Sequence, residues 1–198
     1  MSKTKPHKIL VTGTGRCGTT FLMRIFTYLG LPTGCSDIQE QDITTIHNCN
    51  SGYEIATEET ILGVDQTNYI VKSPKFLTHI NDIFQHYQID LIILPMRDFT
   101  KCALSRTKYG YEPGGLVWGA TDYKSQLQSF YASFSNFLLT TNKLKLNVIY
   151  IDFDLMINDY DYLYKRLSFI VKKYKIGKKR FVKAYNKASF QSKTIYHI

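Results

Sequence analysis

Residues 8–26 read KILVTGTGRCGTTFLMRIF, and no other stretch narrows the choice of fold as far. "KILVT" (8–12) is a short apolar run that stops at a glycine turn, the pattern of a strand buried in a parallel sheet. Phe21, Leu22, Ile25, Phe26 and Leu29 then recur at helical spacing, which predicts a helix over 19–29. Glycines at 13, 15 and 18 allow a tight turn between the two and bring backbone N–H groups close to a ligand. The helix points its positive end at the same spot, so the expected occupant is an anion.

The rest of the chain repeats this rhythm. "NYIVKS" (68–73) and "IDLIILPM" (89–96) carry the strand signal, each followed by a helical segment, 75–87 and 98–108. Residues 121–142 place Leu127, Phe130, Tyr131, Phe134, Phe137 and Leu138 on one helical face, and "NVIYI" (147–151) is a further buried strand. The expected fold is α/β: one parallel sheet with helices on both faces. The absence of a repeat, a low-complexity tract or a Pro/Ser-rich linker predicts a single domain over residues 1–198. A chain of that size buries roughly 70% of its unfolded surface without staples. Residues 30–67 and "YGYEPGGLVWG" (109–119) break the rhythm, and segments of this kind carry binding loops in open α/β folds.

Four cysteines without a CxxC pair suggest neither a zinc ribbon nor a redox dithiol. The apolar run near the N-terminus is too short for a signal-peptide core, and nothing approaches a ~20-residue membrane span. A cytoplasmic location is the expectation. The net charge of +9 is uneven: from Leu163 onward lie eleven of the 25 Lys and Arg residues and none of the 16 acids, which leaves −2 for the remainder. A basic helical segment over 163–198 is therefore expected, either as a solvated surface or as a partner for anions.

Gly13-x4-Gly18-Thr19-Thr20 matches the phosphate-loop pattern G-x-x-x-x-G-K-[ST], except that Thr19 stands where the lysine contacts terminal phosphates. Arg16, inside the loop, supplies the charge, and its fork suits phosphate or sulfate oxygens. "GTGRCGTTFL" resembles the 5′-phosphosulfate loop of sulfotransferases that use 3′-phosphoadenosine 5′-phosphosulfate (PAPS), whose usual form is close to G-x-x-R-S-G-T-T. Cys17 stands at the serine position. "LPMRDFTKCALSRTKYG" supplies an arginine ending a strand and a serine eight residues later, Arg97 and Ser105, which in that family bind the 3′-phosphate. "YIVKSPKF" is similar to the lysine-bearing strand end of the tyrosylprotein and carbohydrate branches. "NVIYIDFDLMIND" is similar to the family's late strand and acidic turn.

The resemblance implies a P-loop-like fold that transfers a sulfuryl group from PAPS to a hydroxyl acceptor, a carbohydrate, a peptide tyrosine or a small molecule. Gly15, Arg16, Cys17, Gly18, Thr19, Thr20, Arg97 and Ser105 would bind the cofactor, and Arg16 and Lys72 would stabilise charge on the leaving group. No metal is required by that chemistry. The base that takes the acceptor's proton is expected at Glu40, with Asp37, His47 and Asp65 as rivals. Two other readings compete: a PAPS-binding or nucleotide-binding protein without transfer activity, and a P-loop nucleotide kinase, which the missing lysine disfavours. Nucleic-acid binding is disfavoured, because the basic segment lacks a recognised motif with interleaved aromatics.

Overall fold

The computed structural model describes residues 4–33, 68–111 and 115–196. Four strands, β1 (His7–Val11), β2 (Ile70–Lys72), β3 (Gln88–Met96) and β4 (Val148–Asp152), form a sheet in the order β2-β1-β3-β4, with every pairing parallel. α1 (Thr19–Tyr28) follows β1, and a 3-10 turn (Pro74–Leu77) with α2 (Ile80–His86) follows β2. β3 leads into α3 (Phe99–Thr107) and α4 (Tyr123–Lys143). After β4 come α5 (Phe153–Asn158), α6 (Tyr160–Arg166), α7 (Ser168–Lys173) and α8 (Lys178–Tyr196).

Strand side chains alternate between two cores, as the pleat requires. Ile9, Val11, Leu91, Ile93 and Ile151 face one core with α1 and the C-terminal helices. Leu10, Val71, Ile92 and Leu94 face the other with the 3-10 turn, α2 and Phe137 of α4. Phe21, Leu22, Ile25, Phe26 and Leu29, the periodic set of α1, are all buried. Each such side chain contributes about 1.5–3 kcal/mol on burial.

Two expectations are corrected and a third is refined. The helix expected over 75–87 divides: Pro74 starts a 3-10 turn capped by Ser73, whose Oγ accepts from Lys75 N, and α2 begins afresh at Ile80. On α4, Phe130 and Phe137 are buried, but Tyr131 and Leu138 are exposed. The inward stripe is Gln126, Phe130, Phe137 and Thr141, so residues one position further round the helix leave the core. The basic segment is three helices, broken at Leu167 and at the turn Tyr174–Gly177, where Lys175 has φ 51.

Register between β1 and β3 slips by one residue between Lys8 and Ile9, which leaves Asp90 as the extra residue of a bulge. Asp90 is hydrogen-bonded there to Tyr69 and to His7 (2.7 Å), with Lys173 Nζ 3.8 Å away. Burial alone would raise its pKa, but these hydrogen bonds and the lysine charge hold it below the ordinary carboxylate value. β4 lies at the end of the sheet, and α6 seals it: Arg166 donates to the Tyr150 carbonyl, and Asp152 N–H donates to Tyr162 Oη at 2.9 Å. Among the described residues, no helix is long and apolar enough to cross a membrane.

Candidate functional site

In the order β2-β1-β3-β4 the chain leaves β1 to one side and later passes to the other, so the topological switch lies between β1 and β3. Open α/β sheets bind ligands at that point, outside the carboxyl ends of the strands. The loop 13–18 leaves β1 there, and Arg97 follows the last residue of β3.

The stem of the loop is anchored on both sides. Thr12 N–H donates to Ile93 O (3.0 Å), and its hydroxyl donates to Ser73 O (2.9 Å), which ties β1 to the ends of β3 and β2. Gly15 (φ 74), Arg16 (φ 58) and Gly18 (φ 87) are left-handed. Left-handed residues mixed with right-handed ones fold backbone N–H groups into concave anion nests. Gly18 is the N-cap of α1 and has no side-chain cap, and the first turn of α1 contains no acid. By contrast Asp98, Asp122 and Asp152 each cap their helices with a carboxylate. The N-terminal donors of α1 therefore have no side-chain acceptor at the cap.

Three cations from three strand ends meet this loop. Arg97 Nη1 donates to the Arg16 carbonyl at 2.9 Å, and its guanidinium lies 4.6 Å from the centre of the Phe153 ring. Arg16 Nε donates to Ser105 Oγ at 3.2 Å, while its guanidinium stacks 4.3 Å from the Tyr109 ring centre. Lys72, 2% exposed at the end of β2, donates to Thr20 Oγ1 at 3.3 Å. Among the described residues neither Arg16 nor Arg97 has a carboxylate within 4.0 Å. Two guanidinium charges thus sit at the switch point without a carboxylate partner among the described residues.

No protein-family model, curated protein or solved structure matches the chain. The site therefore stands on its own geometry.

Gly15, Arg16, Gly18, Thr19, Thr20, Lys72, Arg97 and Ser105 come together as one cluster. Cys17 belongs to the same loop through its backbone. Its thiol is fully buried under the loop against Cys102, Ala103 and Phe130 and fills the space beside Gly13. Burial, reinforced by Cys102, pushes the thiol up to about 11, so it stays protonated and only its backbone N–H is left for an anion. Glu40, Asp37, His47 and Asp65 lie outside the described residues. Among the described residues no group of His, Cys, Asp or Glu is arranged to hold a metal.

Sequence reasoning overlooked Arg106 and Gln126. Arg106 is buried, donates from Nε to Thr14 O (3.0 Å) and from Nη1 to Gly115 O, and fills the space where a Gly15 Cβ would stand. Gln126 is fully buried; its Oε1 accepts from Val117 N at 2.8 Å. The missed signal is spacing: Cys102, Ala103 and Arg106 share the inner face of α3, so an arginine there must turn inward.

The basic run 172–181 lies away from this cluster. α1 starts at the loop and ends at the opposite edge of the sheet, where Arg180 donates to Leu29 O. Lys173 reaches Tyr69 Oη (2.8 Å) and Asp90, and Lys178 pairs with Asp161 at 2.6 Å. These contacts assign much of the run to holding helices in place.

Proposed function

We propose that the chain is a PAPS-dependent sulfotransferase built on a P-loop-like fold, acting on a hydroxyl acceptor such as a carbohydrate, a peptide tyrosine or a small molecule. The observation that carries the reading is the pair Arg16 and Arg97, without a carboxylate partner among the described residues, locked together through the Arg16 carbonyl, and set beside a helix start that lacks a side-chain cap at the switch point. A donor with anionic groups at two positions fits such a pair better than a single phosphate does.

PAPS would supply the activated sulfuryl group. Arg16 and the N–H groups of residues 16–20 would hold its 5′-phosphosulfate, and Arg97 with Ser105 its 3′-phosphate. Lys72, held beside Thr20, would meet charge developing on the bridging oxygen. Holding and orientation account for most of the catalysis in transfers of this kind. The proton of the acceptor goes to a base, for which the chain offers Glu40.

Titration calorimetry with 3′-phosphoadenosine 5′-phosphate (PAP), 5′-AMP and ATP with magnesium tests the reading on wild type and Arg97→Ala. PAP should bind far more tightly than 5′-AMP. Arg97→Ala should cost at least about tenfold in PAP affinity, the worth of a hydrogen bond to a charged group. Preference for ATP with magnesium would turn the assignment to a kinase. Equal affinity for PAP and 5′-AMP would remove the 3′-phosphate subsite and with it the proposal.

A further inference from the structure

The loop does not hold its shape alone. Its left-handed turn at Gly15 and Arg16 leaves the Thr14 carbonyl directed into the protein, where the Arg106 side chain is the donor that reaches it. The same guanidinium donates to Gly115 O, and Gln126 of α4 grips the next turn of chain through both Val117 N (2.8 Å) and Val117 O (3.4 Å). Trp118, left-handed at φ 58, stacks edge-on against Phe130 in the cluster that buries Cys17 and Cys102. One continuous set of contacts thus runs from Thr14 through Arg106 to Gly115, Val117 and α4.

We propose that Arg106 is the positioning residue of the anion loop, a buried guanidinium that makes the shape of the loop depend on the Gly115–Trp118 segment. Only a planar fork with donors on separate nitrogens serves both carbonyls at once; a lysine ammonium on a flexible stem is a point donor. A carbonyl that loses its partner in this buried place carries the full penalty of desolvation. Because coupling is reciprocal, an anion that orders the loop also orders Gly115–Trp118, and a molecule seated on that segment strengthens anion binding. The inference uses the reading above only in taking PAP as the ligand probe.

Native-state amide hydrogen exchange on the full chain tests it. In unliganded wild type, residues 13–18 and 115–118 should open as one unit, with the same dependence on low denaturant. Independent opening of the two segments overturns the proposal, and this measurement needs no variant. Arg106→Lys should speed exchange in both segments by at least about tenfold, the loss expected for a hydrogen bond made by a charged group, with β3 unchanged. Unchanged exchange over 115–118 in that variant also overturns it. In titrations, Arg106→Lys should lose at least about tenfold in PAP affinity. Ile83→Val, a truncation in the core around α2, should leave affinity as it is; matching losses in the two variants would reduce Arg106 to a stability residue. If wild type does not bind PAP, the sulfotransferase reading fails, while the exchange data still decide the role of Arg106.

Discussion

Arg16 combines two demands that conflict locally. Its side chain is the cation of the loop, yet its backbone is left-handed, a conformation that costs a non-glycine residue about 1–2 kcal/mol. The contacts of Arg97, Cys102 and Ser105 with Arg16 pin it there, and strain held this way is typical of a binding loop. The two demands separate in a pair of variants. Arg16→Ala and Arg16→Gly both remove the cation, but only glycine relieves the backbone. Urea unfolding should find Arg16→Gly more stable than Arg16→Ala by about 1 kcal/mol. Equal stability would show that the loop rearranges when the side chain is gone.

At the level of elements, the strands were legible because their apolar runs are short, β-branched and bounded by turns. "IDLIILPM" (89–96) became Gln88–Met96, and "NVIYI" (147–151) became Val148–Asp152. The bulge at Asp90 was not legible, since a single aspartate in a run of isoleucines and leucines carries no register information until His7 of β1, Tyr69 just before β2 and Lys173 of α7 are in place. In the site, Arg97 and Ser105 were singled out by the resemblance of "LPMRDFTKCALSRTKYG" to the sulfotransferase family's motif. Arg106 was missed because a charged residue next to Ser105 reads as surface unless the buried face of its helix is traced. The direction of the Cys17 thiol depends on the packing of α3 and α4 beneath the loop, which no local pattern encodes. Asp90 gives this scale its prediction. Its carboxyl titrates below the ordinary value in the folded state, so its contribution to stability is present above the unfolded value of about 4 and is lost as pH falls through the lower folded value. The urea midpoint of Asp90→Asn should therefore fall less steeply than that of wild type between about pH 5 and about pH 2. Parallel curves would show that the Tyr69 and His7 contacts add nothing to folding.

Over the whole molecule, charge is divided by the sheet. Arg16, Lys72 and Arg97 gather at its carboxyl edge, while Lys173 and Arg180 are engaged at the opposite edge. α1, ten residues long, spans about 15 Å between them, well beyond the screening length of about 8 Å at physiological salt. The variant Lys175→Glu with Lys179→Glu should therefore change PAP affinity by less than about twofold at that ionic strength. A larger loss would bring the basic run into the anion site.

The seal on β4 bears on how the molecule behaves in a crowd of its own kind. A terminal strand with open backbone groups invites pairing with another chain. Here a second copy, or a partly unfolded one, would first have to peel Arg166 and Tyr162 from Tyr150 and Asp152. The α6 that blocks the way also carries Lys165 and Arg166 on its exposed side. With the Tyr150 carbonyl and the Asp152 N–H already engaged and two cations beside them, an approaching copy finds less of a template along β4 in the native state.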